Sequence, residues 1–123
     1  MAAHNELGSR GENLAAKYME EHGYIVLDRN WHHGHRELDL VVRDSRQLVI
    51  VEVKTRSSEA FGRPEEAVGS RKIRSIVSSA DSYMKLHQID LPVRFDIITV
   101  ISDSRQEDRI EHIEDAFFPP LWN

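Results

Sequence analysis

The chain has 123 residues, of which 40% are hydrophobic and 30% charged, and its formal net charge is -5. This composition fits one globular domain, residues 1–123, with a core from about residue 5 to residue 116 and an irregular C-terminal tail. The absence of cysteine excludes disulfides and thiolate metal sites. The acidic balance argues against a tight, sequence-independent nucleic-acid binder, because phosphate neutralisation supplies most of the affinity of such proteins.

The sequence also bears on location. Its first residues contain no apolar run for export, and no segment approaches the length that crosses a bilayer. We therefore expect a cytoplasmic protein with no membrane partner.

Hydrophobic periodicity predicts two helices and five strands. The first helix is expected from about residue 5 to residue 21, where Gly23 follows as a stop signal, and the second from about 65 to 87. The strands are expected at residues 24–31, 36–43, 48–54, 92–101 and, as an edge strand, 109–113. The order α-β-β-β-α-β predicts an α/β fold in which helices flank a mixed central β-sheet.

Two of these strands carry acidic motifs, Glu-Leu-Asp at 37–39 and Glu-Val-Lys at 52–54. Side chains alternate across a strand, so the first and third residue of each motif are expected to share a face. A hairpin centred between residues 45 and 46 places Asp39 opposite Glu52 and Glu37 opposite Lys54.

Carboxylates this close repel each other unless a positive group joins them. A divalent metal with oxygen ligands is the simplest candidate, with Lys54 beside it. The alternative is a cross-strand salt bridge at a sheet edge, which stabilises by about 0.2–1 kcal/mol.

Taken together, these residues resemble the PD-(D/E)xK nuclease superfamily and, within it, the YraN-like family of small bacterial proteins. The matching stretches are Gly11-Glu12, Asn30-Trp31, Glu37-Leu38-Asp39-Leu40, Val51-Glu52-Val53-Lys54-Thr55-Arg56, Phe61-Gly62 with Pro64, and Arg94-Phe95-Asp96. The resemblance implies a restriction-endonuclease-like core. Leu38 replaces the proline that names the superfamily, a residue that shapes the strand rather than touching the metal.

The resemblance also implies a catalytic set. Asp39, Glu52 and the backbone carbonyl of Val53 would bind Mg²⁺ or Mn²⁺, and Glu12 would approach the metal directly or through water. Lys54 would stabilise charge on the phosphate or orient the attacking water. For Glu12 the alternative is a solvated position on the helix.

The implied activity is a Mg²⁺-dependent endonuclease that hydrolyses DNA phosphodiesters and is structure-selective, like a Holliday junction resolvase. Cutting of that type needs two symmetric sites, so a homodimer is the matching partner. The rival interpretation is a nucleic-acid or protein-binding module that keeps the nuclease fold without turnover. An RNA-processing hydrolase differs only in substrate.

Basic residues follow the second motif, and we expect them to contact phosphates of bound DNA. They are Arg56, Arg63, Arg71 and Lys72. The alternative is a solvated loop, since glutamates at 59, 65 and 66 interleave with them.

Three further groups have open or structural interpretations. His32, His33 and His35 lack the spacing of a zinc motif, so a mobile surface loop is favoured over a zinc site. Glu37 is either an auxiliary ligand or a salt-bridge partner of Lys54. Asp96 is expected to be structural rather than catalytic.

Overall fold

The computed structural model describes residues 2–57, 69–102 and 107–117. Within them the elements follow the predicted order of helices and strands. They are α1 (Ala2–Glu21), β1 (Ile25–His33), β2 (Arg36–Arg43), β3 (Leu48–Ser57), α2 (Ser70–Leu86), β4 (Val93–Ser102) and β5 (Asp108–Ile113). No helix of this described part is long and apolar enough to cross a membrane.

The second helix begins at Ser70, later than the expected start at about residue 65. Gly69 precedes it with an extended backbone, φ -83° and ψ 174°, and therefore stands outside the helix. Residues 58–68, including the earlier part of the predicted helix, lie outside the described ranges.

The five strands form one sheet in the order β1-β2-β3-β4-β5. Neighbouring strands are antiparallel except for β3 and β4, which are parallel and joined through α2. A parallel pair requires such a crossover, because a tight turn cannot return the chain to the same end of the sheet. The prediction of a mixed sheet flanked by helices is confirmed.

Each face of the sheet has its own apolar core. On the α2 face, Ile50, Tyr83 and Phe95 are buried, and on the α1 face Met19 and Val51 are buried. Ile50 and Val51 are neighbours on β3, and their side chains point to opposite faces of the sheet. One strand therefore contributes residues to both cores. Glu52 and Lys54 follow Ile50 on the α2 face, as the alternation predicts.

Two irregularities interrupt the first hairpin. The register between β1 and β2 shifts between Val26 and Asp28. In β2, Leu38 packs in the α2-side core whereas Leu40 packs in the α1-side core, so the alternation breaks at Asp39. Such breaks re-aim side chains, as β-bulges do, and β-bulges recur beside functional sites.

Candidate functional site

The predicted hairpin register is confirmed up to the edge of the site. The β2–β3 ladder runs from Arg43↔Leu48 to Leu40↔Val51 and ends there. Beyond it the backbone N–H of Val53 donates to the Asp39 carboxylate at 3.0 Å. The Asp39 side chain thus replaces a backbone acceptor of the ladder. It joins β2 to β3 beyond the point where their backbone pairing ends.

The side chains of Asp39 and Glu52 lie close enough for the charge of Glu52 to act on Asp39. Glu52 is buried, with 6% of its surface exposed. Burial and the charge of Glu52 raise the pKa of Asp39 to about 6, against opposing effects of the Val53 N–H and of Lys72. Two acidic groups that cannot both ionise at low cost are an arrangement found at metal and catalytic sites.

Two lysines converge on this pair. The Nζ atoms of Lys54 and Lys72 lie 3.3 Å and 3.4 Å from the same oxygen, Oε2 of Glu52. Lys54 follows Glu52 on β3, and Lys72 comes from the first turn of α2. Lys72, predicted to contact DNA phosphates, therefore sits at the acidic centre itself. The salt bridges link Glu52 to a lysine of its own strand and to a lysine of α2, rather than across two strands as the alternative had it.

The backbone around Val53 offers a further oxygen. In a strand the N–H and C=O of one residue point to the same side, because a paired residue exchanges both bonds with one partner. Since the Val53 N–H faces Asp39, its carbonyl faces the same gap between β2 and β3. Asp39, Glu52 and the Val53 carbonyl thus form an all-oxygen donor set, the type that Mg²⁺ and Mn²⁺ prefer.

Two buried polar atoms beside this centre lack a hydrogen-bond partner, the Oγ1 of Thr99 and the Nε of Arg56. Thr99 is the β4 register partner of Lys54, and Arg56 is two residues further along β3. Unpaired buried groups cost free energy, so they favour a site that is completed by a ligand. The donor set and these two atoms fit a divalent cation with an anionic substrate.

Among residues 2–57, 69–102 and 107–117, no three His, Asp or Glu side chains are close enough to hold a metal together. The carboxylates of Asp39 and Glu52 are two in number. That number suits Mg²⁺, which keeps several waters and is commonly bound through one or two carboxylates together with substrate phosphate.

Glu12 is tied to β1 rather than to the carboxyl pair. Its Oε1 accepts a hydrogen bond from Nδ2 of Asn30 at 2.8 Å. Asn30 lies between the paired residues Arg29 and Trp31, at the level of Asp39 on β2, and has a positive φ of 50°. Asparagine tolerates this conformation better than most residues. Ligation of a metal by Glu12 stays a prediction.

Glu37 does not face Lys54, so that expectation is wrong. Its register partner on β1 is His32, whose Nδ1 lies 3.6 Å from Oε2 of Glu37. The break in alternation at Asp39 is the reason, because it separates the orientation of Glu37 from that of Asp39.

The histidines also differ from expectation. His32 and His33 belong to β1 rather than to a loop, and the turn is confined to Gly34 and His35. The ring of His33 stacks on Trp31, with centroids 6.0 Å apart.

The remaining predicted residues are dispersed. Arg71 is exposed in the first turn of α2, and Arg63 falls in the segment that the structure does not describe. Asp96 is fully buried on the α1 face, where Arg94 donates to both of its oxygens at 2.8 Å and His112 contacts it at 2.7 Å. It therefore belongs to a network on the other face of the sheet.

Sequence reasoning missed two residues near the site, Thr99 and Asn30, and one contact, that of Lys72 with Glu52. Thr99 had a signal, since it is a polar residue in a mostly apolar strand. Asn30 and the contact of Lys72 with Glu52 had none, because both depend on packing between elements distant in sequence.

The sequence profile described as "Uncharacterised protein family UPF0102" matches residues 11–100. The chain belongs to the UPF0102 family. A UPF0102 protein of Bacteroides thetaiotaomicron is 60% identical over 99% of this chain and 100% of its own length. One from Parabacteroides distasonis is 49% identical over 98% of each chain, and one from Flavobacterium psychrophilum 44% over 96% and 98%. The UPF0102 profile spans Glu12, the carboxyl pair and both lysines.

Proposed function

We propose that this UPF0102 protein is a divalent-metal-dependent endonuclease that hydrolyses DNA phosphodiesters and selects branched structures. The observation that carries the proposal is the Asp39–Glu52 carboxyl pair with Lys54 and Lys72 beside it. The proposal includes a restriction-endonuclease-like core of the PD-(D/E)xK type. The parallel β3–β4 pair that α2 connects supports this assignment.

Asp39, Glu52 and the Val53 carbonyl would hold Mg²⁺ or Mn²⁺, with Glu12 as an outer contributor. When bound, such a cation supplies Lewis-acid polarisation of a phosphoryl oxygen and lowers the pKa of a water molecule.

The protein's own cations would stabilise the developing charge. Lys54 Nζ lies 3.3 Å from Glu52 and would turn from it toward a phosphoryl oxygen. The Nε of Arg56, buried without a partner, gains an acceptor when a phosphate enters. Positive donors fixed in a partly dry site stabilise transition-state charge more strongly than they would in water.

The direct test is cleavage of a panel of four-way, nicked, single-stranded and duplex DNA with Mg²⁺ or Mn²⁺, with matching RNA. We expect cutting of branched DNA that is abolished in Asp39→Asn and Lys54→Met and retained in Glu37→Gln. Calorimetric titration with Mn²⁺ should show binding that Asp39→Asn with Glu52→Gln removes. Binding that persists in this double variant would place the metal elsewhere.

A specific observation favours the rival function, a binding module without turnover. The charges of Glu52 and of an ionised Asp39 are offset by those of Lys54 and Lys72, so the centre is balanced in charge without a metal. In that case the panel gives binding without cleavage under every metal tested. Cleavage of RNA alone would instead identify the RNA-processing hydrolase.

Two further elements of the proposal concern its setting. Resolvase-type cutting requires paired sites, so we propose a homodimer on DNA, which sedimentation with a four-way junction tests. A cytoplasmic location goes with a DNA substrate and is tested by cell fractionation.

A further inference from the structure

A cavity of about 400 Å³ lies between the β1–β2 turn and α2. Its lining consists of His33, Gly34, His35, Arg36, Ser75, Ser78 and Ser79. The lining thus offers one guanidinium, two imidazoles and three hydroxyls, and among the residues that the structure describes it includes no carboxylate. Such a set of donors suits an anion with several acceptor oxygens.

Arg36 is held in place for this task. Its Nε and Nη2 donate to Oγ of Ser78 at 3.3 Å and 3.2 Å. A guanidinium carries five N–H donors, so three remain for a ligand. A braced arginine loses less conformational freedom on binding than a free one.

Ser79 supplies an independent sign of a missing partner. It is fully buried, and its Oγ has no hydrogen-bond partner. A buried hydroxyl without a partner is costly and is found where a ligand or a water completes the site. An acceptor oxygen in the cavity is the partner that this hydroxyl lacks.

The cavity lies at the same end of the sheet as the carboxyl pair. β2 and β3 are antiparallel, so the start of β2 at Arg36 is level with the end of β3 beyond Glu52. Arg36 precedes Asp39 by three residues, about 10 Å along a strand. On α2, Ser75 follows Lys72 by three residues, about 4.5 Å along a helix.

We infer that this cavity is a second phosphate subsite, which binds a backbone phosphodiester of the same nucleic acid whose scissile phosphate is at Asp39 and Glu52. The inference rests on the proposed function for its substrate class. The subsite would position the strand and set the distance from an anchored phosphate to the cut.

The test measures binding to a labelled four-way junction by fluorescence anisotropy in EDTA and in Ca²⁺, over a range of salt. Arg36→Gln is expected to weaken binding about tenfold and to lower the salt slope by about 0.9, the value of one lost phosphate contact. Arg46→Gln is the matched control, because it removes the same charge from the turn at the opposite end of β2. It should change affinity by less than about twofold, as befits a charge remote from the contact. Equal effects of the two variants would overturn the subsite.

A second variant guards against a purely structural effect of Arg36. Ser79→Ala removes a hydroxyl that bonds to nothing in the folded chain, so it should weaken junction binding a few-fold without lowering thermal stability. Inorganic phosphate should shift the imidazole resonances of His33 and His35, and equally so in the Asp39→Asn, Glu52→Gln variant. A phosphate response with normal DNA affinity in Arg36→Gln would reject a backbone phosphodiester as the ligand.

These readouts are separate from catalysis. A protein that cuts DNA while Arg36→Gln binds normally refutes the subsite alone. A protein that never cuts, but loses affinity on Arg36→Gln, refutes the endonuclease and leaves the subsite in place.

Discussion

The Asp39 carboxylate accepts the backbone N–H of Val53 at 3.0 Å, one residue beyond the last ladder pair between their strands. One side chain therefore joins two strands and supplies an oxygen to the candidate metal site. The structural and the chemical role can be separated by the choice of substitution.

Asp39→Ala should lower the free energy of unfolding by about 1–3 kcal/mol, because it leaves the buried N–H of Val53 without an acceptor. Asp39→Asn keeps an acceptor oxygen and should unfold at least as late as the parent chain. Both should lose Mn²⁺ binding. Urea denaturation without metal measures the stability, and calorimetry measures the metal binding. Equal stability of the two variants would argue against the hydrogen bond between Asp39 and the Val53 N–H.

The stability of the metal-free protein should fall as pH rises from about 4 to about 6. Burial and the charge of Glu52 raise the pKa of Asp39 to about 6, from an ordinary 3.8. Between these values the unfolded chain has released the proton and the folded chain has kept it, so rising pH favours unfolding. The loss is expected to be about 1–3 kcal/mol.

The difference between the parent chain and Asp39→Asn isolates this contribution. Urea titrations in EDTA at several pH values should show a difference in the free energy of unfolding between the two proteins. This difference should widen over that pH range and then stay constant. Excess Mg²⁺ should remove the loss in the parent chain, because the cation favours the ionised carboxyls. A gap that does not vary with pH would rule out Asp39 as its source.

The two lysines at Glu52 should have different effects when replaced. Lys72→Gln removes a charge that competes with a cation for Oε2, so Mn²⁺ affinity is expected to rise about fivefold, equivalent to about 1 kcal/mol. Lys54→Gln should raise metal affinity by a similar amount and abolish cleavage. Arg74→Gln, an exposed change on the same helix, is the control. Weaker metal binding in Lys72→Gln would contradict the competition.

Local signals determined how far the sequence predicted this site. The turn between the two motifs was predictable because it is built locally, with Asp44 accepting the N–H groups of Arg46 and Gln47 at 2.8 Å and 2.9 Å. That turn sets the register, and the register brings Asp39 to Glu52.

Features that depend on distant contacts were not predictable. The break in alternation at Asp39 leaves no trace in the hydrophobic pattern, so Glu37 was wrongly expected to lie opposite Lys54. The register shift after Val26 directs Asp28 to the hydroxyl of Tyr83, 3.4 Å away on α2, instead of to the face of Val26. In both cases tertiary packing overrides strand periodicity.

Asp96→Ala should be the most destabilising of these substitutions, by about 3–5 kcal/mol, because it leaves Arg94 buried without its partner. Burial alone would raise the pKa of Asp96, but hydrogen bonds from His112, Arg94 and the Asp115 N–H hold it below its ordinary value. Asp81→Ala, which removes an exposed pair with Lys85, should change stability by about 0.5 kcal/mol or less. Similar losses in the two variants would contradict the buried network.

Gly11→Ala should destabilise the chain although alanine favours helix. A Cβ at this position would collide with Oγ1 of Thr55, so α1 must move away from β3 or the Thr55 side chain must turn. We expect a loss of about 1–2 kcal/mol, and adding Thr55→Ala should restore most of it. A double-mutant cycle by urea denaturation measures this coupling, and additive effects would show that the contact is not limiting.

The parallel pairing of β3 with β4 has a consequence for assembly. The first two hairpin turns can bring Asp39 to Glu52 from local sequence, but Lys72 and Thr99 arrive only when the chain has crossed the sheet and returned. Contacts between residues far apart in sequence form late, because the chain must lose the entropy of closing the loop before the contact can stabilise it. A nascent chain thus has its two acids and Lys54 side by side before Lys72 arrives, and competence for chemistry waits for the last strands to dock.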